Sequence, residues 1–116
     1  MHELPVINSI LGIVLKHAAI NQVKKIMAIH LQVGAFSDLD DMCMQQYFDY
    51  VSKGSLADGA KLVIERIPAV MRCTACGHSF EINLKDGTKP VCSECGGESH
   101  SLVSGREYTI KNMEVL

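Results

Sequence analysis

The residues best suited to chemistry are cysteines in two pairs, Cys73-Thr74-Ala75-Cys76 and Cys92-Ser93-Glu94-Cys95, separated by the fifteen residues Gly77 to Val91. Two residues between ligands let a tight turn aim both sulfurs at one ion, and four thiolates complete a tetrahedral shell. Each second cysteine is followed by a glycine, Gly77 or Gly96, which can take positive φ and turn backbone N–H groups toward the sulfurs. Asp86-Gly87 marks a turn about midway between the pairs, as a ribbon hairpin needs. The spacing predicts a bound metal, zinc first, with iron or a redox dithiol as the alternatives. Four ligands leave no open position for catalysis, so the site reads as structural, with zinc replacing a core the segment is too small to build. Paired CxxC units also point to a reducing compartment, hence a cytoplasmic protein, rather than to a secreted disulfide scaffold.

A second chelate can form at the start of the chain. Met1 is expected to be retained, because the His2 that follows is too bulky for routine methionine removal. The Met1 α-amine, the His2 backbone nitrogen and the His2 imidazole then offer three adjacent donors. Ni(II) or Cu(II) can displace the amide proton from such a planar set, and square-planar nitrogen donation is diagnostic of those two ions. A histidine in second place leaves the fourth equatorial position open, which suits a site that must release its ion. The competing reading is an exposed terminus with no ligand role.

These donors must be placed by a small fold. Ile7, Ile10, Leu11, Val14, Leu15 and Ala18 make the apolar stripe of an amphipathic helix over residues 4–20, with Pro5 in its first turn and Asn21 as its stop. From Lys25 to Val33 the period becomes two, with Met27, Ile29, Leu31 and Val33 on one face and Ala28, His30 and Gln32 on the other, a strand with one buried face. Ser37-Asp38-Leu39-Asp40 reads as a capping box opening a second helix, with Leu39, Cys43, Tyr47, Tyr50 and Val51 on its apolar side and Gly54 at its end. A strand follows from Leu62 to Ile67, and a last one from Arg106 to Val115 whose alternation changes parity near Asn112. The expected architecture is α+β: a small two-helix, three-stranded α/β layer with an inserted zinc-ribbon module. The ribbon takes residues 71–104, and the α/β domain residues 1–70 and 105–116. The 34 residues of the insert fall below the about 40 at which a chain folds without help.

Composition narrows the function. The 47% hydrophobic and 21% charged content is that of a folded chain. No uninterrupted apolar run approaches the ~18 residues of a membrane span, and the opening Met1-His2-Glu3-Leu4-Pro5 lacks the positive region of a signal peptide. A formal charge of −2 argues against bulk polyanion binding. The ribbon segment itself carries Arg72, Lys85 and Lys89 against Glu81, Asp86, Glu94 and Glu98, with Phe80 its one aromatic ring. That disfavours the alternative of a zinc-ribbon nucleic-acid module, which needs a basic stripe and stacking platforms, and leaves a protein-interaction ribbon as the competing class. No poised base and nucleophile accompanies the thiolates, so an enzyme is not expected.

Met1-His2-Glu3, Gly34-Ala35-Phe36-Ser37, Gly54-Ser55-Leu56-Ala57-Asp58-Gly59, the two CxxCG units, Ser104-Gly105-Arg106-Glu107 and Ile110-Lys111-Asn112-Met113-Glu114-Val115 together resemble the HypA family along the whole chain. These are nickel-delivering accessory proteins of nickel–iron hydrogenase maturation. The resemblance implies an α/β nickel-binding domain with an inserted zinc ribbon. It implies His2 as the nickel ligand beside the Met1 amine, and Glu3 as a ligand or tuning residue. Asp40 sits where some relatives place an acid near the nickel, although a capping carboxylate also explains it. The implied partners are a HypB-type GTPase, the hydrogenase large subunit and, in some members, urease maturation proteins, with the chain a monomer or homodimer. Elsewhere, Cys43 reads as a buried small hydrophobe, Met42 and Met44 as core or helix surface, and His17 and His30 as solvated. His78 and His100, close to the knuckles, are candidates to bind zinc or nickel.

Overall fold

The computed structural model describes residues 3–82, 91, 92 and 94–116; Met1, His2 and the expected Asp86-Gly87 turn lie outside the described residues. Among the described residues the elements run α1 (Glu3–Ile20), β1 (Ile26–Gly34), α2 (Asp41–Val51), β2 (Lys61–Ile67), β3 (Ala69–Cys73), β4 (Ser79–Ile82), β5 (His100–Ser104) and β6 (Tyr108–Val115). They form two three-stranded sheets, ordered β2-β1-β6 and β4-β3-β5. The fold is the expected α+β arrangement.

Contacts divide the chain into two compact units, the first holding α1, β1 as far as Gln32, Asp38–Glu65 and Thr109–Leu116. Its core is the stripe Ile7, Ile10, Val14 and Ala18 of α1, with Ile26, Ile29 and Leu31 of β1 and Met44 and Phe48 of α2, each 1% exposed or less. Burying the larger of these side chains contributes about 1.5–3 kcal/mol apiece, which is what orders the unit. Helix α1 also has the length and mean hydropathy, 1.4, of a membrane span, a property that a core helix shares. Here four apolar residues of one stripe are buried in the unit.

The second helix corrects two expectations. It opens at Asp41, with Asp40 rather than Ser37 as its N-cap. Ser37 instead closes a turn after β1, its N–H donating to the Gly34 carbonyl at 3.0 Å. Asp40 is extended (φ −93°, ψ 125°), and its Oδ1 accepts from the Cys43 N–H at 2.9 Å, so the acid expected inside the helix is the cap itself. The buried side is Met44, Phe48 and Ser52, at i, i+4 and i+8, whereas Tyr47 and Tyr50 are exposed. In β1, Met27 is exposed while Ile26 and Ala28 are buried, so the strand starts with its other face covered. Along β6 the half-buried residues are Tyr108, Ile110 and Met113, which shows the expected change of parity.

The second unit comprises Val33–Ser37 and Arg66–Tyr108. Its sheet is antiparallel, with Arg72 opposite both Ser79 and Ser101, and Cys73 opposite His100. The Val33–Ser37 turn belongs to it through main-chain bonds: Ala35 N–H to the Ile67 carbonyl at 2.8 Å, and Phe36 N–H to the Gly105 carbonyl at 2.7 Å.

Candidate metal centre

Strand β3 delivers Cys73 to the end of the second unit's sheet, and the chain then turns through Thr74–Cys76. Gly77 closes the turn at φ 79°, its N–H donating to the Cys73 carbonyl at 2.9 Å. The second knuckle repeats the device, with Gly96 at φ 72° and its N–H on the Cys92 carbonyl at 2.8 Å. Positive φ is what makes glycine the residue for both positions. Further bonds tie the knuckles down: Cys92 N–H to the Gly97 carbonyl, Cys73 N–H to the His78 carbonyl, and both the amide and hydroxyl of Thr74 to the Ser99 carbonyl.

The four sulfurs converge, all within 4.8 Å of one another, with Cys73 to Cys95 and Cys76 to Cys92 each at 3.5 Å. A tetrahedron of sulfurs about 2.3 Å from zinc has edges of about 3.8 Å, so the cluster has the size of a zinc–thiolate shell. Glycine at position 97 was not singled out in the sequence, yet a Cβ there would stand 3.3 Å from the Cys95 sulfur and 3.4 Å from that of Cys73. The Gly96-Gly97 doublet was its one signal, the second glycine being there for clearance.

Electrostatics fit the same occupant. The amides of Cys76 and Ala75 stabilise the Cys73 thiolate and, with the neighbouring thiols of Cys95 and Cys76, hold it down to about 6 against burial. At Cys76 the His78 amide favours the thiolate, but the Cys92 sulfur, desolvation and the Cys95 and Cys73 sulfurs outweigh it and push the thiol up to about 12. Cys95 is also raised: the Gly97 amide draws it down, while the Cys73 sulfur leads the groups that drive it up. One thiolate forms readily and others resist, as like charges in one shell must; a divalent cation lets all four deprotonate together.

The histidines near the knuckles are not in this group. His78 stacks on Phe80 (ring centroids 6.4 Å apart), and His100 meets the edge of the same ring at 5.1 Å. The four cysteines are the one convergent set of metal-donor side chains among the described residues.

In the first unit, Glu3 and Asp40 line one cleft of about 510 Å³ with Leu4, Pro5, Asp38, Cys43 and Tyr47. Glu3 is buried, at 6% exposure, at the start of α1, and Asp40 stands at the start of α2. Cys43 is half-buried in this cleft rather than a core residue. Burial raises its thiol first, then a hydrogen bond with Asp40 and the charges of Asp40 and Glu3, so it stays protonated. Asp38 and Tyr47 read in the sequence only as part of a helix cap and of an apolar helix side; the packing of α1 against α2 brings them to this cleft.

Comparison with known proteins places the whole chain in one family. A family model described as hydrogenase/urease nickel incorporation, metallochaperone, hypA matches residues 1–115. A hydrogenase maturation factor HypA of Dehalococcoides mccartyi is 32% identical over 115 residues, covering 99% of this chain and 94% of its own. That of Rhodobacter capsulatus is 32% identical over 116 residues, 100% of both chains. The solution structure of the Ni metallochaperone HypA from Helicobacter pylori matches with a TM-score of 0.70 at 28% identity, over 100% of this chain and 98% of that one. With a four-sulfur cluster fit for zinc and a likeness that runs from one end to the other, the chain belongs to the HypA family of nickel-incorporation metallochaperones in hydrogenase maturation.

Proposed function

We propose that this protein takes up Ni(II) at its N-terminus and delivers it during nickel–iron hydrogenase maturation, while a separate structural Zn(II) orders the ribbon. Nickel is cargo and zinc is resident. The α-amine of Met1, the backbone nitrogen of His2 and its imidazole supply the planar nitrogen set, with Glu3 and Asp40 as the acids beside it. The observation that carries this reading is the shared cleft: Glu3 and Asp40, 37 positions apart in sequence, line one cavity at the starts of α1 and α2. Residues 1–70 and 105–116 form the nickel domain and residues 71–104 the zinc domain. Cys73, Cys76, Cys92 and Cys95 all ligate zinc and leave no position open, so the protein binds and transfers metal without catalysing a reaction. It works in the cytoplasm, receiving or passing nickel with a HypB-type GTPase, towards the hydrogenase large subunit and, by the same chemistry, urease maturation proteins.

Nickel titration of the native-start protein, beside a version with extra N-terminal residues and a His2→Ala variant, tests the site. The extension and the substitution should each abolish tight nickel binding while zinc stays bound. Unchanged nickel affinity in both would overturn it.

A further inference from the structure

The four sulfurs are alike in sequence spacing and unlike in place. Cys73 and Cys92, the first of each pair, are 1% and 2% exposed, whereas Cys76 and Cys95, the second of each, are exposed. Attack on a hydroperoxide requires a thiolate that the peroxide oxygen can reach. On the zinc reading above, coordination keeps all four sulfurs deprotonated, so access rather than protonation separates them.

The same geometry selects the second sulfur. Cys95 has Cys73 at 3.5 Å and Cys76 has Cys92 at 3.5 Å. Both close pairs run between the knuckles, not within a CxxC unit. A disulfide needs about 2.05 Å, so each cross pair closes by about 1.5 Å.

We propose that Cys76 and Cys95 are the sites at which a hydroperoxide modifies this protein, and that Cys92 and Cys73 respectively resolve them into disulfides across the two knuckles. In the first step the exposed thiolate attacks one peroxide oxygen. The S–O bond forms, the O–O bond breaks, hydroxide leaves, and the sulfur is oxidised by two electrons to a sulfenic acid. In the second step the neighbouring thiolate attacks that sulfur, the S–S bond forms, the S–O bond breaks and a second hydroxide leaves. Two thiolates and one hydrogen peroxide give one disulfide and two hydroxides. Each disulfide removes two of four zinc ligands, so the first one releases the ion.

The test uses the full-length zinc-loaded protein and its Cys43→Ser variant, which confines reaction to the ribbon. Each is treated with substoichiometric hydrogen peroxide, once alone and once with a 1,3-diketone that traps sulfenic acid. Zinc release is followed with a chromogenic chelator, and peptides are mapped by mass spectrometry with fragmentation. The diketone should mark Cys76 and Cys95, untrapped samples should contain Cys73–Cys95 and Cys76–Cys92 links, and one zinc should leave per first disulfide. Diketone on Cys73 or Cys92, or disulfides within a knuckle (Cys73–Cys76 and Cys92–Cys95), would overturn the proposal. Zinc content before treatment keeps the two readings apart. A chain without zinc overturns the structural-zinc reading, and the disulfide map still decides the pairing.

Discussion

The cysteine ribbon and the α1–α2 cleft of this protein are built on opposite plans. The ribbon gathers four identical donors from two short turns, each closed by a glycine at positive φ, into one cluster of the size of a zinc–thiolate shell. The α1–α2 cleft instead draws carboxylates, Glu3 and Asp40, from the starts of two helices far apart in sequence, and packing of Ile7, Ile10, Met44 and Phe48 orders those helices. A site meant to hold its metal can be encoded locally, because a knuckle fixes its own geometry. A site meant to release its metal is better assembled on a scaffold that stands when the cargo has gone.

That contrast predicts a double dissociation. The largest effect should come from the ribbon: structural zinc binding is worth an apparent ~10–16 kcal/mol in small domains, far more than a 34-residue segment can replace. Cys73→Ser, or a strong chelator, should remove zinc and unfold β3–β5 while α1, β1 and α2 keep their amide hydrogen-exchange protection. Loss of protection in both regions together would show that the ion supports the whole chain. The reciprocal change is Phe48→Ala, which empties a fully buried position in the first unit and should cost about 3–5 kcal/mol. Urea unfolding followed through helix signal should shift accordingly, with zinc content per chain unchanged.

Asp40 decides whether the cleft has a second role beyond structure. Its carboxylate caps α2 through the Cys43 N–H, so Asp40→Ala should destabilise by about 1 kcal/mol. Asparagine caps nearly as well but carries no charge. On the nickel reading, Asp40→Asn should keep the stability and still weaken nickel binding, whereas a residue that only caps would leave nickel affinity untouched in both variants. Calorimetric titration of the two side by side gives the answer.

How far the sequence carried this picture follows the same divide. The knuckles were readable because ligand spacing, the glycine after each pair and the sulfur chemistry all lie within a few residues of one another. The helix stripe of α1 was readable because a single period governs it, with Ile7, Ile10, Val14 and Ala18 buried. The start and buried side of α2 were not: Ser37-x-x-Asp40 satisfies the capping-box pattern, but Ser37 is drawn into the turn with Gly34, and Asp40 takes over the cap. Shifting the start then leaves the true core residues, Met44 and Phe48, to be chosen by tertiary packing from a helix that has apolar side chains on several sides. Met27 was misplaced for the same reason, since what covers the first turn of β1 is set by neighbours distant in sequence. The cleft itself was legible only through family resemblance.

The smallest expected effect concerns neither metal. Glu107 lies between β5 and β6, and both its carboxylate oxygens accept from the Gly105 N–H at 3.2 Å, with the Arg106 N–H also donating to Oε2 at 3.2 Å. The Gly105 amide first, then those of Glu107 and Arg106, hold the acid below its usual range despite some desolvation. A folded-state value below the unfolded one means a contribution that is complete above the unfolded value, about 4.3, and is lost as the pH falls through the folded one. Glu107→Gln should therefore lower the denaturation midpoint slightly at neutral pH, and the gap between wild type and variant should close in acid. Acid also protonates zinc thiolates, but it does so equally in both proteins, so the difference between them isolates Glu107. Midpoints measured from neutrality down to below pH 4 would show this convergence; a gap that stays constant would mean that the side chain acts through shape alone, not through its charge.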